Sequence, residues 1–204
     1  MVYIVGIGPG ARNYILPEAE KVIESANCVI GFDRALRSLD YIKNRKTKVK
    51  SLFEIIEFIN MHKDKNICVV ASGDPCFYGI TDYINRNFIG DIRVIPGISS
   101  FQYMVSKLGK SWQNAGLYSI HGREEQLIEK VRENKVSIWL TDRRNSPDFI
   151  SKKLLKENIR AKVYVGENLS YPNEKISSGT VEEMSRRSYA DLCVVIIENG
   201  SDVK

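Results

Sequence analysis

Five consecutive apolar residues, Ile67-Cys68-Val69-Val70-Ala71, run directly into Ser72-Gly73-Asp74-Pro75. The run is too short for a typical helix, and its β-branching suits a strand buried on both faces. Gly73 admits a positive φ, Asp74 brings a short carboxylate, and Pro75 fixes φ and removes a donor. The chain must therefore turn here, ahead of a helix expected from Phe77 to about Asn87. A strand that ends in such a loop delivers backbone groups and one carboxylate to the carboxyl edge of a sheet, where open α/β sheets bind ligands. A plain strand-to-helix turn accepts the same residues, so the loop gains weight only from its neighbours in the chain.

Those neighbours repeat the pattern. Val2-Tyr3-Ile4-Val5 opens the chain as a strand and enters Gly6-Ile7-Gly8-Pro9-Gly10-Ala11. A helix over about Leu16–Ala26 and a strand at Cys28–Gly31 follow, with Pro17 suited to a first helical turn. Ser51 and Glu54 have the spacing of a capping box, as do Ser99 with Gln102 and Thr180 with Glu183. Further strands are expected at Ile92–Ile95, Leu117–Ile120, Val136–Leu140, Ala161–Val165 and Leu192–Ile197, with an edge element at Ile176–Gly179. Ser146-Pro147 opens another helix. Leu108–Ala115 is polar and glycine-containing, as linkers are. The economical parse is α/β throughout, in two α/β domains covering 1–112 and 113–204.

Composition limits the functional classes. At 204 residues with 43% hydrophobic and 27% charged residues, the chain has the balance of a folded globular protein. No apolar run reaches the roughly 18 to 20 residues of a membrane span, and the N-terminus lacks a signal-peptide layout. The four cysteines form no C-x-x-C pair, and three lie in or beside strand-like runs, which points to buried thiols in a cytoplasmic protein and to no metal site. The net charge of +5 is modest. Basic residues cluster between Arg34 and Lys50 and between Arg143 and Lys156. Lysine-rich solvated faces account for most of them, and a polyanionic ligand is the functional alternative. No aromatic RNA-binding motif or recognition helix accompanies the charge, so no nucleic-acid or membrane partner is expected.

One alternative comes from the first loop. Strand, Gly6-x-Gly8-x-x-Ala11, helix, strand and Asp33 resemble a dinucleotide fingerprint, which predicts an NAD(P)-binding oxidoreductase. Pro9 removes an amide from the loop that should cradle a pyrophosphate, and Arg12-Asn13-Tyr14 delays the helix.

Three motifs in order (Gly6-x-Gly8-Pro9-Gly10, Ser72-Gly73-Asp74-Pro75 and Pro96-Gly97-Ile98-Ser99-Ser100) resemble those of the tetrapyrrole methyltransferases, the class III fold of S-adenosylmethionine-dependent enzymes. The resemblance spans essentially the whole chain. Ser119-Ile120-His121-Gly122-Arg123, Leu140-Thr141-Asp142 and Gly166-Glu167-Asn168-Leu169-Ser170-Tyr171-Pro172 are similar to the subgroup that methylates carbon 5 of a corrin precursor, precorrin-6Y or cobalt-precorrin-7. It implies two α/β domains with a ligand trough between them, a homodimer, S-adenosyl-L-methionine as cofactor and a cobalt-precorrin as substrate. Methylation at another ring position, or a non-catalytic tetrapyrrole-binding protein, are the competing expectations. Some relatives carry a further decarboxylating domain; with the last residue here at Lys204, that activity is expected in a separate protein.

The resemblance also assigns residues. Pro9, Gly73, Asp74, Pro75, Phe77, Ser99, Ser100, Thr141 and Leu169 are expected to bind the cofactor. Gly8 and Gly10 are expected at the substrate, with Arg12, Arg123 and Arg143 as clamps for its carboxylates and Arg34 and Arg144 as further candidates. Family members usually carry an acidic residue soon after Gly-Pro-Gly, where this chain has Ala11-Arg12-Asn13. If a proton must move, His121 is the first candidate because its unperturbed pKa lies near neutrality, and Tyr14 is the second. His62 is expected at the surface. Any cobalt arrives inside the substrate.

Overall fold

The computed structural model describes residues 1–122 and 126–200. The chain divides into two compact units, Met1–Ser100 and Phe101–Lys204. The sequence puts the division at residue 112; the contacts put it at 100/101, so the Leu108–Ala115 segment lies inside the second unit.

The first unit is a five-stranded parallel sheet. Its strands are β1 (Val2–Gly6), β2 (Cys28–Gly31), β3 (Lys46–Lys48), β4 (Ile67–Ala71) and β5 (Ile92–Ile95), in the order β3-β2-β4-β1-β5. Its helices are α1 (Pro17–Ser25), α2 (Asp33–Arg37), α3 (Leu52–Met61) and α4 (Thr81–Asn87). The unbroken apolar runs of β1 and β4 are explained by two cores. Val5, Cys68 and Val70 pack on one face with Ala19, Ile23 and Leu36 from α1 and α2. Ile4, Ile67 and Val69 pack on the other with Ile55, Ile59 and Ile84 from α3 and α4. A parallel sheet covered on both faces needs apolar side chains at every position, and these strands supply them.

Two elements lie where the sequence shows only a polar, basic stretch. β3 is a three-residue edge strand, Lys-Thr-Lys, and α2 is a single short helix ahead of it. Charged edge strands carry no hydrophobic period, because one side of the backbone faces solvent and lysine discourages further pairing. The helix expected from Phe77 begins only at Thr81. Tyr78 sits at φ 50, outside helical space. The Thr81 amide and hydroxyl both donate to the Pro75 carbonyl, at 3.2 and 2.8 Å, closing residues 75–81 into a loop.

The second unit begins with α5 (Ser100–Lys107), whose first residue closes the first unit, and contains a mixed sheet in the order β6-β7-β10-β8-β9. Its strands are β6 (Gly116–Ser119), β7 (Val136–Leu140), β8 (Ala161–Glu167), β9 (Lys175–Thr180) and β10 (Cys193–Asn199). Only β6 and β7 run parallel; β10 is antiparallel to β7 and β8, and β9 is antiparallel to β8. Helices α6 (Leu127–Glu133), α7 (Pro147–Lys156) and α8 (Val181–Ser185) cover one face. Val131, Trp139, Ile150, Leu154, Val165 and Val195 form the centre of that core. Trp139 is fully buried, stacks on Tyr118 and satisfies its indole N–H on Ser137 Oγ at 2.8 Å. No described helix is long and apolar enough to cross a membrane.

The capping boxes divide. Thr180 accepts the Glu183 amide at 3.2 Å, while Glu183 accepts the Thr180 amide at 3.0 Å. Ser51 accepts from Glu54, but Glu54 reaches back to the Lys50 amide instead of the cap residue's own. Thr180→Ala leaves an N-terminal amide of α8 without its partner, and is expected to lower stability by about 1 kcal/mol. Urea unfolding monitored by tryptophan fluorescence, to which buried Trp139 and exposed Trp112 both contribute, measures this.

Candidate active site

The three glycine-containing loops of the first unit meet at the carboxyl edge of adjacent strands, because β1 lies between β4 and β5. The β1 loop begins by continuing the ladder: the Ile7 amide donates to Ala71 O at 2.9 Å. Gly8 and Gly73 then form an isolated antiparallel bridge, with Gly73 N–H on Gly8 O at 2.7 Å and Gly8 N–H on Gly73 O at 3.3 Å. Gly6 lies so near the third loop that a Cβ there would stand 2.6 Å from Gly97 N and 2.7 Å from Gly73 O. No side chain fits where three backbones cross.

Asp74 ties the crossing together. Its Oδ1 accepts the Cys76 amide at 2.7 Å, turning its own loop, and its Oδ2 accepts the Gly97 amide at 3.3 Å. Pro75 and Ser99 are buried, and the Ser99 Cα would lie 3.6 Å from a Cβ on Gly73. Gly8, Gly73, Asp74 and Ser99 therefore belong to one loop cluster, with Pro9 and Gly10 following Gly8 in the chain, Pro75 following Asp74 and Ser100 opening α5. Phe77 meets Tyr78 edge to face at 5.0 Å.

Tyr14 lies in a 3-10 turn, Arg12–Tyr14, with its carbonyl packed on Gly8. Arg12 is engaged by Tyr41 and by Glu20 of α1. Its guanidinium lies 4.0 Å from the centre of the Tyr41 ring and bonds Glu20 at 3.3 Å. Tyr41 donates to the same carboxylate at 2.7 Å, and burial together with Glu20 pushes the phenol well above its ordinary pKa.

The dinucleotide alternative loses its geometry here. β4 lies between β1 and β2, whereas the dinucleotide fold sets its first two strands side by side. The Gly8 amide is spent on Gly73, Pro9 has none, and α1 starts only at Pro17. Asp33, the would-be ribose ligand, pairs with Lys48 and Arg37, each at 2.8 Å.

In the second unit the ends of β6 and β7 hold a polar cluster. Buried Thr141 donates to Cys193 O at 2.9 Å, and its carbonyl lies 2.9 Å from His121 Nδ1. A carbonyl only accepts, so Nδ1 carries a proton, and the tautomer this selects has its lone pair at Nε2. Asp142 was not among the sequence candidates, yet it organises this end of the sheet. Its Oδ2 accepts Gly122 N–H at 2.7 Å, and its Oδ1 accepts the amides of Arg144 and Asn145 at 2.8 and 2.7 Å. Burial raises its pKa, but those three amides and the neighbouring His121 more than offset this and hold the carboxyl below its ordinary value. The available signal was an aspartate directly after a strand, followed by polar residues and Ser-Pro, the pattern of an Asx turn. Arg143 makes only a loose 3.9 Å pair with Asp191 and is largely exposed. Arg123 lies outside the described residues. Leu169 is buried against Gly166.

The model of the tetrapyrrole (corrin/porphyrin) methylases matches residues 1–185. The chain belongs to that family. Among tetrapyrrole methylases it is similar to a Methanocaldococcus jannaschii protein named a probable cobalt-precorrin-7 C(5)-methyltransferase, 35% identical over 217 aligned positions and the full length of both chains. The fold matches the precorrin-6Y methylase of Archaeoglobus fulgidus with a TM-score of 0.78 and 24% identity, covering 98% of each chain. It also matches the uroporphyrin-III C-methyltransferase of Thermus thermophilus complexed with S-adenosylhomocysteine, with a TM-score of 0.78 and 20% identity over 96% of this chain and 91% of that one.

The bonds to Asp142 make this methylase's stability depend on acid in a defined direction. The lowered native pKa means that the contribution is fully present above the ordinary carboxylate value of 3.8 and is lost as pH falls through the lower native one. Asp142→Asn is therefore expected to be less stable than wild type at pH 6, with the gap closing below about pH 4. Urea titrations between pH 6 and pH 2.5 follow it.

Proposed function

We propose that this tetrapyrrole methylase transfers a methyl group from S-adenosyl-L-methionine to carbon 5 of cobalt-precorrin-7, and that it does so as a cytoplasmic homodimer. The observation that carries the reading is the full-length 35% identity to a relative so named, rather than a match confined to one half. Methylation at another position of the ring remains the competing outcome.

When bound, the cofactor supplies an electrophilic methyl group on a sulfonium, whose electrons stay with the departing sulfur. Alignment of carbon, methyl and sulfur then carries much of the catalysis, so the protein's first task is to hold its loops still. The Gly73-Asp74-Pro75 loop suits this, since its hydrogen bonds join three loop backbones. The Asp74 carboxylate accepts two amides in the structure and keeps further lone-pair positions for a cationic ligand. Pro9, Phe77, Ser99 and Ser100 belong to the same set in our reading, with Thr141 and Leu169 from the second unit. Gly8 and Gly10 face the macrocycle. Arg12, Arg123 and Arg143 take its carboxylates, Arg12 by exchanging Glu20 for the substrate.

His121 serves as the base for the proton that the methylated carbon loses. Thr141 O fixes its tautomer, and Nε2 is the atom left to accept. Tyr14 is the second candidate.

Calorimetry with S-adenosylhomocysteine and with NAD tests the cofactor. Wild type is expected to bind the first and give no heat with the second, and Asp74→Ala to bind S-adenosylhomocysteine at least about tenfold more weakly. NAD binding without a response to S-adenosylhomocysteine overturns the reading. A separate turnover assay with cobalt-precorrin-7 tests the base: His121→Gln is expected to lose about a hundredfold or more in kcat at unchanged S-adenosylhomocysteine affinity. Wild-type turnover in that variant removes His121 from the mechanism.

A further inference from the structure

Glu174 has no role in the assignments above, yet contacts from two elements converge on it. Its Oε2 accepts the Ser170 amide at 2.6 Å, and its Oε1 lies 3.7 Å from Lys107 Nζ. The Tyr103 hydroxyl hydrogen-bonds the same carboxylate, and Lys107 lies over the Tyr103 ring at 5.3 Å. Tyr103 and Lys107 are four residues apart on α5 and so share a face. Burial raises the Glu174 pKa, but Tyr103, the Ser170 amide and Lys107 together hold it below the ordinary range, so the group is a carboxylate at neutral pH.

The segment that Glu174 closes is held in an unfavourable conformation. Asn168 and Ser170 lie at φ 47 and φ 70, in the left-handed region that disfavours any residue with a Cβ. Such residues persist where their surroundings over-determine them. The two bracket Leu169, which is 5% exposed. The Leu169 methyls fill the space over Gly166, where a Cβ would stand 2.7 Å from Leu169 Cδ2 and 3.0 Å from Met104 Sδ. α5 thus meets this segment twice, through Met104 beside Leu169 and through Tyr103 and Lys107 at Glu174.

We propose that Glu174 is a positioning residue for the adenosyl cofactor: it clamps residues 168–174 to α5 and so fixes the Leu169 segment relative to the helix whose first turn carries Ser100. This rests on the reading that Leu169 and Ser100 line the cofactor site. A ligand gripped by both then meets a surface ordered in advance, and its affinity is not spent on ordering the loop.

The test pairs amide hydrogen exchange over residues 168–174 of the free protein with calorimetric binding of S-adenosylhomocysteine, for wild type, Glu174→Ala and Glu174→Gln. In Glu174→Ala the Ser170 amide is expected to exchange faster and the affinity to fall about tenfold. KM for S-adenosylmethionine should rise by a similar factor, with kcat at saturation held within about twofold, as expected for lost binding rather than lost chemistry. Glu174→Gln keeps one acceptor oxygen and is expected to recover most of the affinity. If wild type does not bind S-adenosylhomocysteine, the cofactor reading falls and takes this proposal with it. If wild type binds and Glu174→Ala binds equally well, only the positioning role is overturned. Should Glu174→Ala fail to fold, the double variant Tyr103→Phe/Lys107→Met, which cuts both α5 contacts of Glu174, takes its place, with the same outcomes for and against.

Discussion

The closest packing in the first unit is backbone against backbone, where Gly6, Gly73 and Gly97 cross at the carboxyl edge of β1, β4 and β5. Side chains cannot mediate this contact, because a Cβ on Gly6 meets Gly97 N and Gly73 O at distances no real Cβ adopts. The strand order follows as a requirement: β4 and β5 must both neighbour β1 for their loops to reach the β1 loop. Rigidity follows as well. Amides that would otherwise seek water or a ligand are used to hold the loops together, with the Gly8–Gly73 pair and the two bonds to Asp74 as the main ties. A cluster built this way has few soft degrees of freedom, which is what an alignment-dependent displacement needs.

The second unit uses a related device on a different sheet. Asp142 follows β7 as Asp74 follows β4, and each carboxylate accepts an amide from its own turn and another from a separate loop. Aspartate suits the task because its short side chain folds back on amides two and three residues ahead. A negatively charged acceptor also makes each of those bonds stronger than a neutral one. Substituting either aspartate therefore changes loop geometry as well as local charge. Loss of binding on removing Asp74 measures both together, which is why a variant that keeps an acceptor oxygen is the informative companion to an alanine.

Much of this architecture was legible in the residues. The runs at Ile67–Ala71, Ile92–Ile95 and Val136–Leu140 have the bounds expected of them; the first is apolar and buried throughout, while the other two keep an apolar majority around Arg93 and Ser137 and end at their turns. β3 was hidden because an edge strand of Lys-Thr-Lys has no apolar period, and α2 because a five-residue helix with two buried side chains is too short to show one. The late start of α4 was hidden because Tyr78 occupies a backbone region that its residue type seldom enters. The glycine pattern of the first loop suggested a nucleotide-binding nest. Its geometry is the reverse, since the Gly8 amide is consumed by Gly73, a partner far away in sequence. Asp142 and Glu174 escaped for the same reason: their importance lies in amides and side chains that only the folded chain brings to them.

The charged residues behave differently from the loops. Much of the basic stretch from Arg34 to Lys50 is structural, with Lys46 and Lys48 forming β3 and Arg37 and Lys48 both paired to Asp33. Arg143 is held more loosely, with its side chain 87% exposed, and Arg12, 62% exposed, rests on one carboxylate and the Tyr41 ring. Exposed ion pairs contribute about 0 to 1 kcal/mol, so either guanidinium can trade its present carboxylate for another at little net cost. Tyr41 would keep its own bond to Glu20 through such an exchange, leaving that carboxylate partnered. The result is a division of labour. Backbone crossings fix the geometry of the glycine loops, and exposed guanidinium groups on long side chains keep the freedom to change partners.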